Sequence, residues 1–339
     1  MQAHSTSAAR KQDVQSPLER LSVLVGDDMK KVNELILTHM KSDVPMIPQL
    51  AGYLIAAGGK RIRPLMTLAA TRLYDQKTTR PFALAAAVEF IHTATLLHDD
   101  VVDESAERRG NPSANVIYGN QASVLVGDFL FSRAFQLMVA DGSLDVLRIL
   151  SDASAIIAEG EVLQLSMAND VDLTLVQYEK IIGCKTAALF AAACEIGPII
   201  AGQEPEAAVI LREYGYNLGM AFQVADDVLD YTADHEKLGK TVGDDFREGK
   251  LTAPVIYALA DADEGEKAFW QRTMGDRIQR EEDLPYALEV MKKHKAFNKG
   301  MDLARGYAKK AQDVLKAAPA GEMRDVLSDL ALFSVERAY

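Results

Sequence analysis

One acidic pattern occurs twice within long apolar segments of the chain, and it restricts the fold more than any other feature. The two copies are Asp99-Asp100-x-x-Asp103 and Asp226-Asp227-x-x-Asp230. At 3.6 residues per turn, the first and fifth positions of each copy lie about 40° apart on a helix, and the second lies about 60° beyond the fifth. The three carboxylates of each copy therefore share one helix face. Burying such a trio costs several kcal/mol per uncompensated charge, so the fold must neutralise both copies.

The rest of the sequence predicts an all-α fold. Alanine and leucine dominate, aromatic residues make up 7%, and strand-like runs with period two are scarce. Several predicted helices are apolar on more than one face, which indicates a large single-domain helical bundle around a deep central cavity. We expect a flexible N-terminal segment over 1–16 and one domain over 17–339, with predicted helices at 18–42, 46–57, 63–75, 81–105, 113–140, 143–168, 174–201, 204–231, 248–262, 263–275, 282–295, 297–317 and 320–336.

The composition excludes several classes of protein. The chain has 37 Lys and Arg against 49 Asp and Glu, a net charge of -12, so we expect no nucleic-acid partner. Cys184 and Cys194 cannot form a disulfide framework, which favours a reducing compartment. The polar first sixteen residues lack the apolar core of a secretory signal. The best membrane-span candidate, Thr186 to Gly202, is interrupted by Glu195 and Pro198, so we expect no span and a cytoplasmic protein.

A divalent cation resolves the repulsion within each acidic trio. Carboxylate oxygens on a rigid helix suit Mg²⁺, which takes few protein ligands, keeps several waters and bridges readily to phosphate oxygens. One copy alone could equally be a solvated acidic cluster. Two copies, both flanked by apolar residues, favour a metal site.

Basic residues stand where an anion site would need them. The run Gly58-Gly59-Lys60-Arg61-Ile62-Arg63-Pro64 offers flexible backbone followed by three cations, and Arg108-Arg109-Gly110 closely follows the first acidic pattern. Arg grips phosphate with a bidentate fork, while Lys acts as a compact charge. His92 lies two helical turns before Asp99 on the same face. A phosphate donor and a satisfied core histidine are equal alternatives for it.

Taken together, these stretches resemble the trans-isoprenyl diphosphate synthases. The resemblance runs from about Ala57 to Ala253 and is weaker towards the C-terminus. Its order is Gly-Gly-Lys-Arg-x-Arg-Pro, His-Asp-Asp-x-x-Asp, Arg-Arg-Gly, Lys-Thr, Gln-x-x-Asp-Asp-x-x-Asp and Gly-Lys, with no departure from the family's catalytic pattern.

The resemblance implies a chain-elongating prenyltransferase, usually a homodimer, that uses about three Mg²⁺ ions, with Mn²⁺ as a substitute. It implies that the metals are held against an allylic diphosphate by Asp99, Asp100, Asp103, Asp226, Asp227 and Asp230. Around that diphosphate it places Arg108, Lys185, Thr186, Gln223, Lys240 and Lys250, with Lys185 and Lys240 counted among the catalytic residues and Asp244 supporting the loop. It assigns isopentenyl diphosphate to Lys60, Arg63, His92 and Arg109, and leaves Arg61 unassigned.

The chemistry of such an enzyme suits this layout. Metals and cations stabilise the departing diphosphate, and the resulting allylic carbocation forms in a water-poor apolar environment. The double bond of isopentenyl diphosphate attacks the carbocation. The proton that is then lost goes to the released diphosphate, since no side-chain base is identifiable.

Product length depends on residues before the first acidic pattern. Ala94 and Thr95 stand where short-chain members of the family place Phe or Tyr, so an open tunnel is predicted. A tail channel along Ile91, Val88, Ala87 and Leu84 would end at a floor of Phe131 or Phe135, although ordinary core packing explains any one of them equally well. The two-residue spacing between Asp100 and Asp103 and the run Gly160-Glu161-Val162-Leu163-Gln164-Leu165 resemble the long-chain, quinone-side-chain branch. We therefore expect a product of about eight to ten isoprene units, made from farnesyl or geranylgeranyl diphosphate.

Four other hypotheses compete with this interpretation. A shorter-chain geranylgeranyl or farnesyl diphosphate synthase would share all the motifs. A class I terpene cyclase shares the first pattern, but its second usually carries Asn, Ser or Thr and Glu. A non-catalytic partner subunit typically lacks one pattern, and a purely structural helical protein would bind Mg²⁺ weakly without prenyl transfer.

A transient membrane contact would suit a product nearly insoluble in water, but no amphipathic basic helix strongly supports it.

Overall fold

The computed structural model describes residues 15–56, 59–74, 77–108, 110–232 and 242–336. In the N-terminal half the helices are α1 (Pro17–Leu24), α2 (Gly26–His39), α3 (Met46–Ala56), α4 (Ile62–Arg72), α5 (Arg80–Val102), α6 (Ala114–Tyr118), α7 (Asn120–Asp141) and α8 (Leu144–Ser166). In the C-terminal half they are α9 (Leu175–Ile182), α10 (Ala188–Ile200), α11 (Pro205–Thr232), α12 (Asp244–Glu248), α13 (Ala253–Ala260), α14 (Glu264–Trp270), α15 (Asp283–Lys293), α16 (Ala296–Leu315) and α17 (Glu322–Glu336). The predicted all-α class is confirmed.

The longest apolar helices form the interior of a layered bundle. Helix α5, rich in alanine, packs most extensively on α7, while α11 lies between α10 and α16. One hydrophobic cluster joins α4, α5, α7, α8 and α10, and a second joins α9, α11, α13 and α16. Small side chains allow these helix axes to approach closely, so both acidic patterns lie on helices held from several sides.

A short β-hairpin follows α5. Strands β1 (Glu107–Arg108) and β2 (Asn111–Pro112) pair antiparallel, with Glu107 opposite Pro112 and Arg108 opposite Asn111. The Tyr53 hydroxyl of α3 donates to the Pro112 carbonyl and ties the hairpin to the bundle. The hairpin returns Arg108 over the end of the helix that carries the first acidic pattern.

Several predicted helices end or divide where the backbone requires it. The helix expected over 18–42 divides at Val25, and the one over 113–140 divides at Gly119, whose φ of 85° is accessible mainly to glycine. The helix expected over 81–105 ends at Val102, so Asp103 is its C-cap residue rather than an interior one. The predicted helix 248–262 is wrong at its start, because α12 ends at Glu248 and α13 begins only at Ala253.

The segment predicted as one helix over 174–201 contains a π-helical turn, Gly183–Ala187, between α9 and α10. Such turns insert an extra residue into a helix and are frequent at functional sites. A methyl group on Gly160 of α8 would lie 2.6 Å from the Cys184 Cβ atom, so only glycine lets α8 approach this turn so closely. The turn carries Lys185 and Thr186.

The expectation that no segment could span a bilayer requires correction. By length and composition three helical stretches qualify: Arg80–Val102, Asn120–Asp141 and Leu175–Ile200. In this fold 72% and 78% of the first and third windows are buried inside the protein, but only 44% of the second. The apolar character of the first and third therefore reflects the core, whereas Asn120–Asp141 retains an exposed apolar face.

Candidate active site

The first acidic pattern lies at the C-terminal end of α5 and divides into two parts. Asp100 is fully buried, and its Oδ1 atom lies 2.5 Å from the Arg108 guanidinium. Asp99 and Asp103 remain partly accessible, with 14% and 19% of their side chains exposed. Burial raises the pKa of both Asp99 and Asp100, while Lys185 and Arg108 respectively oppose that rise. Each of these carboxylates has a cationic neighbour that favours its charged form.

Lys185 reaches the first pattern from the π-helical turn. Its ammonium lies 2.8 Å from Glu161 Oε2 and 3.7 Å from Asp99 Oδ2. Burial raises the pKa of Glu161, and Lys185 counteracts it. An isolated lysine in an apolar segment thus faces carboxylates rather than extending to the surface, and Glu161 joins the site as a further carboxylate.

Lys250 connects the first pattern with the segment that follows the second. Its ammonium lies 3.0 Å from Asp103 Oδ2 and 2.6 Å from Glu248 Oε2. Burial opposes the charge, but the surrounding carboxylates raise the pKa of Lys250 above its ordinary value. Lys250 is therefore a permanent cation at this position.

The second acidic pattern lies near the C-terminal end of α11 and is neutralised differently. Asp226 is exposed, while Asp227 is buried and accepts hydrogen bonds on both carboxylate oxygens. The buried Tyr178 hydroxyl donates to Oδ2 and the Gln223 amide donates to Oδ1 at 2.7 Å. Thr186 donates in turn to the Gln223 carbonyl oxygen at 2.8 Å, which fixes the orientation of the amide. Burial raises the pKa of Asp227 to about 7, although the hydrogen bonds from Tyr178 and Gln223 lower it.

The third carboxylate of this pattern meets the loop before α12. Asp230 Oδ2 accepts from the Asp245 backbone N–H at 3.1 Å, and the Asp230 carbonyl accepts from Gly243 N–H at 2.9 Å. Burial and the nearby Asp227 and Asp230 raise the pKa of Asp245 well above its ordinary value. Asp244, the residue that the resemblance assigns to this loop, pairs with Arg247 at 2.7 Å and is half exposed.

Two of the residues expected to bind isopentenyl diphosphate, Arg63 of α4 and His92 of α5, lie in contact. Arg63 Nη1 lies 3.1 Å from His92 Nε2, and the guanidinium stacks over the Phe190 ring at 4.5 Å. Lys60 is exposed just before α4. Arg109 and Lys240 lie outside the described residues. Arg61 forms an ion pair with the buried Glu89.

The residues predicted to control product length lie on the interior side of α5. Ala94 is fully buried, as are Ile91, Val88, Ala87 and Leu84, while Thr95 is half buried and donates to the His92 carbonyl at 2.8 Å. Phe131 and Phe135 of α7 are half buried and pack edge to face, with ring centroids 5.3 Å apart. Ala94 is therefore a small buried residue just before the first acidic pattern. A larger side chain at this position would fill interior space.

The site has chemistry that fits divalent cations. Asp100 Oδ2 and Glu161 Oε1 are buried oxygens with no hydrogen-bond partner among the described residues, and further carboxylates surround them. Among the described residues, no three His, Cys, Asp or Glu side chains already converge on a single point. This arrangement suits Mg²⁺, which takes few protein ligands and completes its shell with water and phosphate oxygens.

Three residues of this site were not predicted from the sequence to have a role: Glu161, Tyr178 and Asp245. A signal existed for two of them, since Glu161 is a charge in an apolar helix and Asp245 is one of two adjacent aspartates in a glycine-rich segment. Tyr178 carried no signal, because its contact with Asp227 joins two separate helices.

Comparisons with known proteins agree with this fold. Residues 44–291 match the family model described as polyprenyl synthetase. Octaprenyl diphosphate synthase of Escherichia coli is 46% identical over 94% of this chain and 99% of its own length. A decaprenyl diphosphate synthase structure from Rhodobacter capsulatus has a TM-score of 0.91 and 49% identity, over 95% of this chain and 100% of that one. A polyprenyl synthase from Caulobacter crescentus, complexed with calcium and isoprenyl diphosphate, has a TM-score of 0.92 and 52% identity, over 97% and 100% of the two chains.

The chain belongs to the polyprenyl synthetase family. It is a prenyltransferase of the long-chain, all-trans polyprenyl diphosphate synthase type. The predicted fold class, family and long-chain activity are confirmed, which disfavours the terpene cyclase and structural-protein hypotheses.

Proposed function

We propose that this enzyme extends farnesyl or geranylgeranyl diphosphate with isopentenyl diphosphate to a product of about eight to ten isoprene units, which supplies a quinone side chain. The observation that carries the proposal is the convergence of Lys185 and Lys250 on the first acidic pattern, from segments that adjoin the second. Relatives that make octaprenyl and decaprenyl diphosphate support the product range.

The allylic diphosphate is proposed to bind between the two acidic patterns. About three Mg²⁺ ions, replaceable by Mn²⁺, would be held by Asp99, Asp100, Asp103, Asp226, Asp227 and Asp230, a set with few ligands for each ion. Such ions neutralise charge on the leaving diphosphate. Asp99, Asp103 and Asp226 are accessible carboxylates of this set, and Asp100 adds its buried Oδ2 atom.

The cations divide between the two substrates. Around the allylic diphosphate we place Arg108, Lys185, Thr186, Gln223, Lys240 and Lys250. Around isopentenyl diphosphate we place Lys60, Arg63, His92 and Arg109. Holding two diphosphates in register converts a bimolecular encounter into a positioned one. The buried apolar helices beside the site keep water from the carbocation.

We also propose a homodimer, because apolar side chains are exposed on α7 and α8. Leu125 and Val139 of α7 are 66% and 63% exposed, and Val162 and Leu165 of α8 are 67% and 66% exposed. Large exposed apolar patches commonly mark protein or membrane contacts. Light scattering on the purified chain should give twice the monomer mass. A monomer that binds lipid vesicles would favour a membrane contact for this face.

The proposed localisation is cytoplasmic, and cell fractionation would test it.

A prenyl-transfer assay tests the proposed product. Purified protein would receive labelled isopentenyl diphosphate, farnesyl diphosphate and Mg²⁺, and dephosphorylated products would be resolved by length. A ladder that ends at one dominant product of eight to ten units is the expected result. A short product would favour the geranylgeranyl or farnesyl alternative, and no incorporation with any allylic primer would favour the partner-subunit hypothesis.

The variant Ala94→Phe tests the length determinant within the same assay. A phenyl ring at this fully buried position should shorten the dominant product, because it fills interior space beside the first acidic pattern. Val23→Phe, on the exposed face of α1, is the matched control and should leave product length unchanged. An unchanged product distribution for Ala94→Phe would place the length determinant elsewhere.

A further inference from the structure

Arg61 combines an unusual backbone conformation with a largely buried ion pair. Its φ of 48° lies in the left-handed region, which non-glycine residues adopt rarely and at an energetic cost. The Arg61 guanidinium pairs with the Glu89 carboxylate, and their side chains are only 18% and 10% exposed. Strained residues persist where the surrounding structure holds them in place, and they concentrate at ligand sites.

The pair lies beside the proposed isopentenyl diphosphate pocket. Arg61 follows Lys60 directly and caps the start of α4, which carries Arg63. Glu89 precedes His92 by one turn on the same face of α5, and His92 lies 3.1 Å from Arg63. The ion pair and the Arg63–His92 contact are thus two adjacent connections between the start of α4 and the middle of α5.

We propose that Arg61 is a positioning residue for isopentenyl diphosphate, acting through Glu89 rather than binding the diphosphate itself. The ion pair holds the turn before α4 in its left-handed conformation, so that Lys60 and Arg63 face the substrate together with His92. This inference rests on the proposed assignment of Lys60, Arg63 and His92 to isopentenyl diphosphate. It adds Arg61 and Glu89 as a pair that acts as one unit.

Two other roles for Arg61 give different results. If Arg61 bound the diphosphate directly, Glu89→Gln would release the guanidinium and would leave the affinity for isopentenyl diphosphate unchanged or higher. If the pair only stabilised the fold, both variants would lower the melting temperature without a selective change in substrate affinity. Positioning predicts that both variants weaken the same substrate by a similar factor.

The experiment measures both substrates in Arg61→Gln, Glu89→Gln and the double variant. We expect KM for isopentenyl diphosphate to rise about 10-fold or more in each, because a displacement of about 1 Å can cost up to 100-fold. KM for farnesyl diphosphate should stay within about twofold, and the double variant should be no worse than either single one. Calorimetric binding of isopentenyl diphosphate without an allylic primer provides a readout independent of turnover. Arg61→Lys, which keeps the charge, should recover much of the affinity.

Two controls separate the competing explanations. Arg72→Gln removes another partly buried ion pair of α4, with Asp28 at 2.6 Å, and should lower stability without changing either KM. Arg63→Gln tests the pocket itself. If Arg63→Gln does not raise KM for isopentenyl diphosphate, the proposed pocket is wrong.

If Arg63→Gln raises that KM but Arg61→Gln and Glu89→Gln leave it unchanged, the positioning role is wrong and the pocket stands. A rise in Arg61→Gln without one in Glu89→Gln would also overturn the proposal, in favour of direct binding. Should Glu89→Gln fail to fold, the contrast between Arg61→Gln and Arg61→Lys decides the matter. Equal affinity in those two variants would contradict positioning.

Discussion

The two acidic patterns have the same sequence spacing, but their buried carboxylates have different partners. In the first, Asp99, Asp100 and Asp103 each lie near a cationic side chain, namely Lys185, Arg108 and Lys250. In the second, Asp227 is held by the neutral Tyr178 and Gln223, and Asp230 accepts from a backbone N–H. The comparison teaches that the buried carboxylate of an identical motif can be stabilised by a cation in one copy, as Asp100 is by Arg108, and by neutral donors in the other, as Asp227 is by Tyr178 and Gln223.

The largest expected effect is the loss of an accessible carboxylate from either pattern. Asp99→Asn and Asp226→Asn should each lower kcat by about 1,000-fold or more, because stabilisation of the leaving diphosphate is lost. Steady-state kinetics would measure this, with circular dichroism to verify the helical fold. Asp27→Asn, exposed on α2 and paired with Lys30 at 2.9 Å, is the matched control and should stay within a few-fold. Near-normal turnover in Asp99→Asn or Asp226→Asn would contradict the metal assignment.

The second effect is a pH-dependent gain in stability from Asp227→Asn in metal-free protein. Because the pKa of Asp227 is raised to about 7, the protonated carboxyl favours the folded state. The contribution of the protonated Asp227 carboxyl to the unfolding free energy is fully present below about pH 4 and is lost as the pH rises through about 7. The variant should therefore exceed the parent in unfolding free energy by up to about 4 kcal/mol at pH 8, and by little at pH 4. Urea unfolding at the two pH values would measure it.

If the variant and the parent differed equally in unfolding free energy at both pH values, the ionised form of Asp227 would not destabilise the folded protein. The comparison between the patterns would then weaken.

The third effect concerns the buried pair of the first pattern. Arg108→Gln should lower the unfolding free energy by about 3 kcal/mol at pH 8, since it leaves the fully buried Asp100 without its cation. Arg247→Gln removes a surface pair with Asp244 and should cost less than about 1 kcal/mol. Urea unfolding of both variants would measure the two losses. Similar losses would mean that Asp100 does not depend on Arg108.

The smallest effect comes from a single hydroxyl group. Tyr178→Phe should lower kcat by about 10- to 100-fold, the usual cost of removing a partner that orients a ligand or its neighbour. Tyr214→Phe removes an equally buried hydroxyl, which donates to the Leu327 carbonyl at 2.8 Å away from the acidic patterns. It should lower stability alone. Equal changes in kcat in the two variants would show that the Tyr178 hydroxyl contributes to packing alone and not to the site.

Much of the fold and part of the site could be predicted from local sequence. Apolar periodicity located α5 and α11, and the spacing within each motif placed three carboxylates on one side of each helix. The helix breaks at Gly119 and after Glu248 were not predicted. A left-handed residue or a short irregular segment interrupts a helix but leaves the apolar pattern of the sequence unchanged.

The partners of the carboxylates depend on tertiary contacts and could not be predicted. Tyr178 and Asp227 come from different helices, and Lys250 meets Asp103 across a large part of the chain. Spacing alone treated Asp99 and Asp100 as equivalent. The hairpin that brings Arg108 onto Asp100 makes them different.

The most direct test is the position of bound metal. Crystals grown with Mn²⁺ and inorganic diphosphate would locate each ion by anomalous scattering. Ions coordinated by Asp99, Asp103 and Asp226, with Asp100 still on Arg108 and Asp227 still on Tyr178, are the predicted result. Ions that coordinate no carboxylate of either acidic pattern, or diphosphate bound away from both patterns, would contradict it.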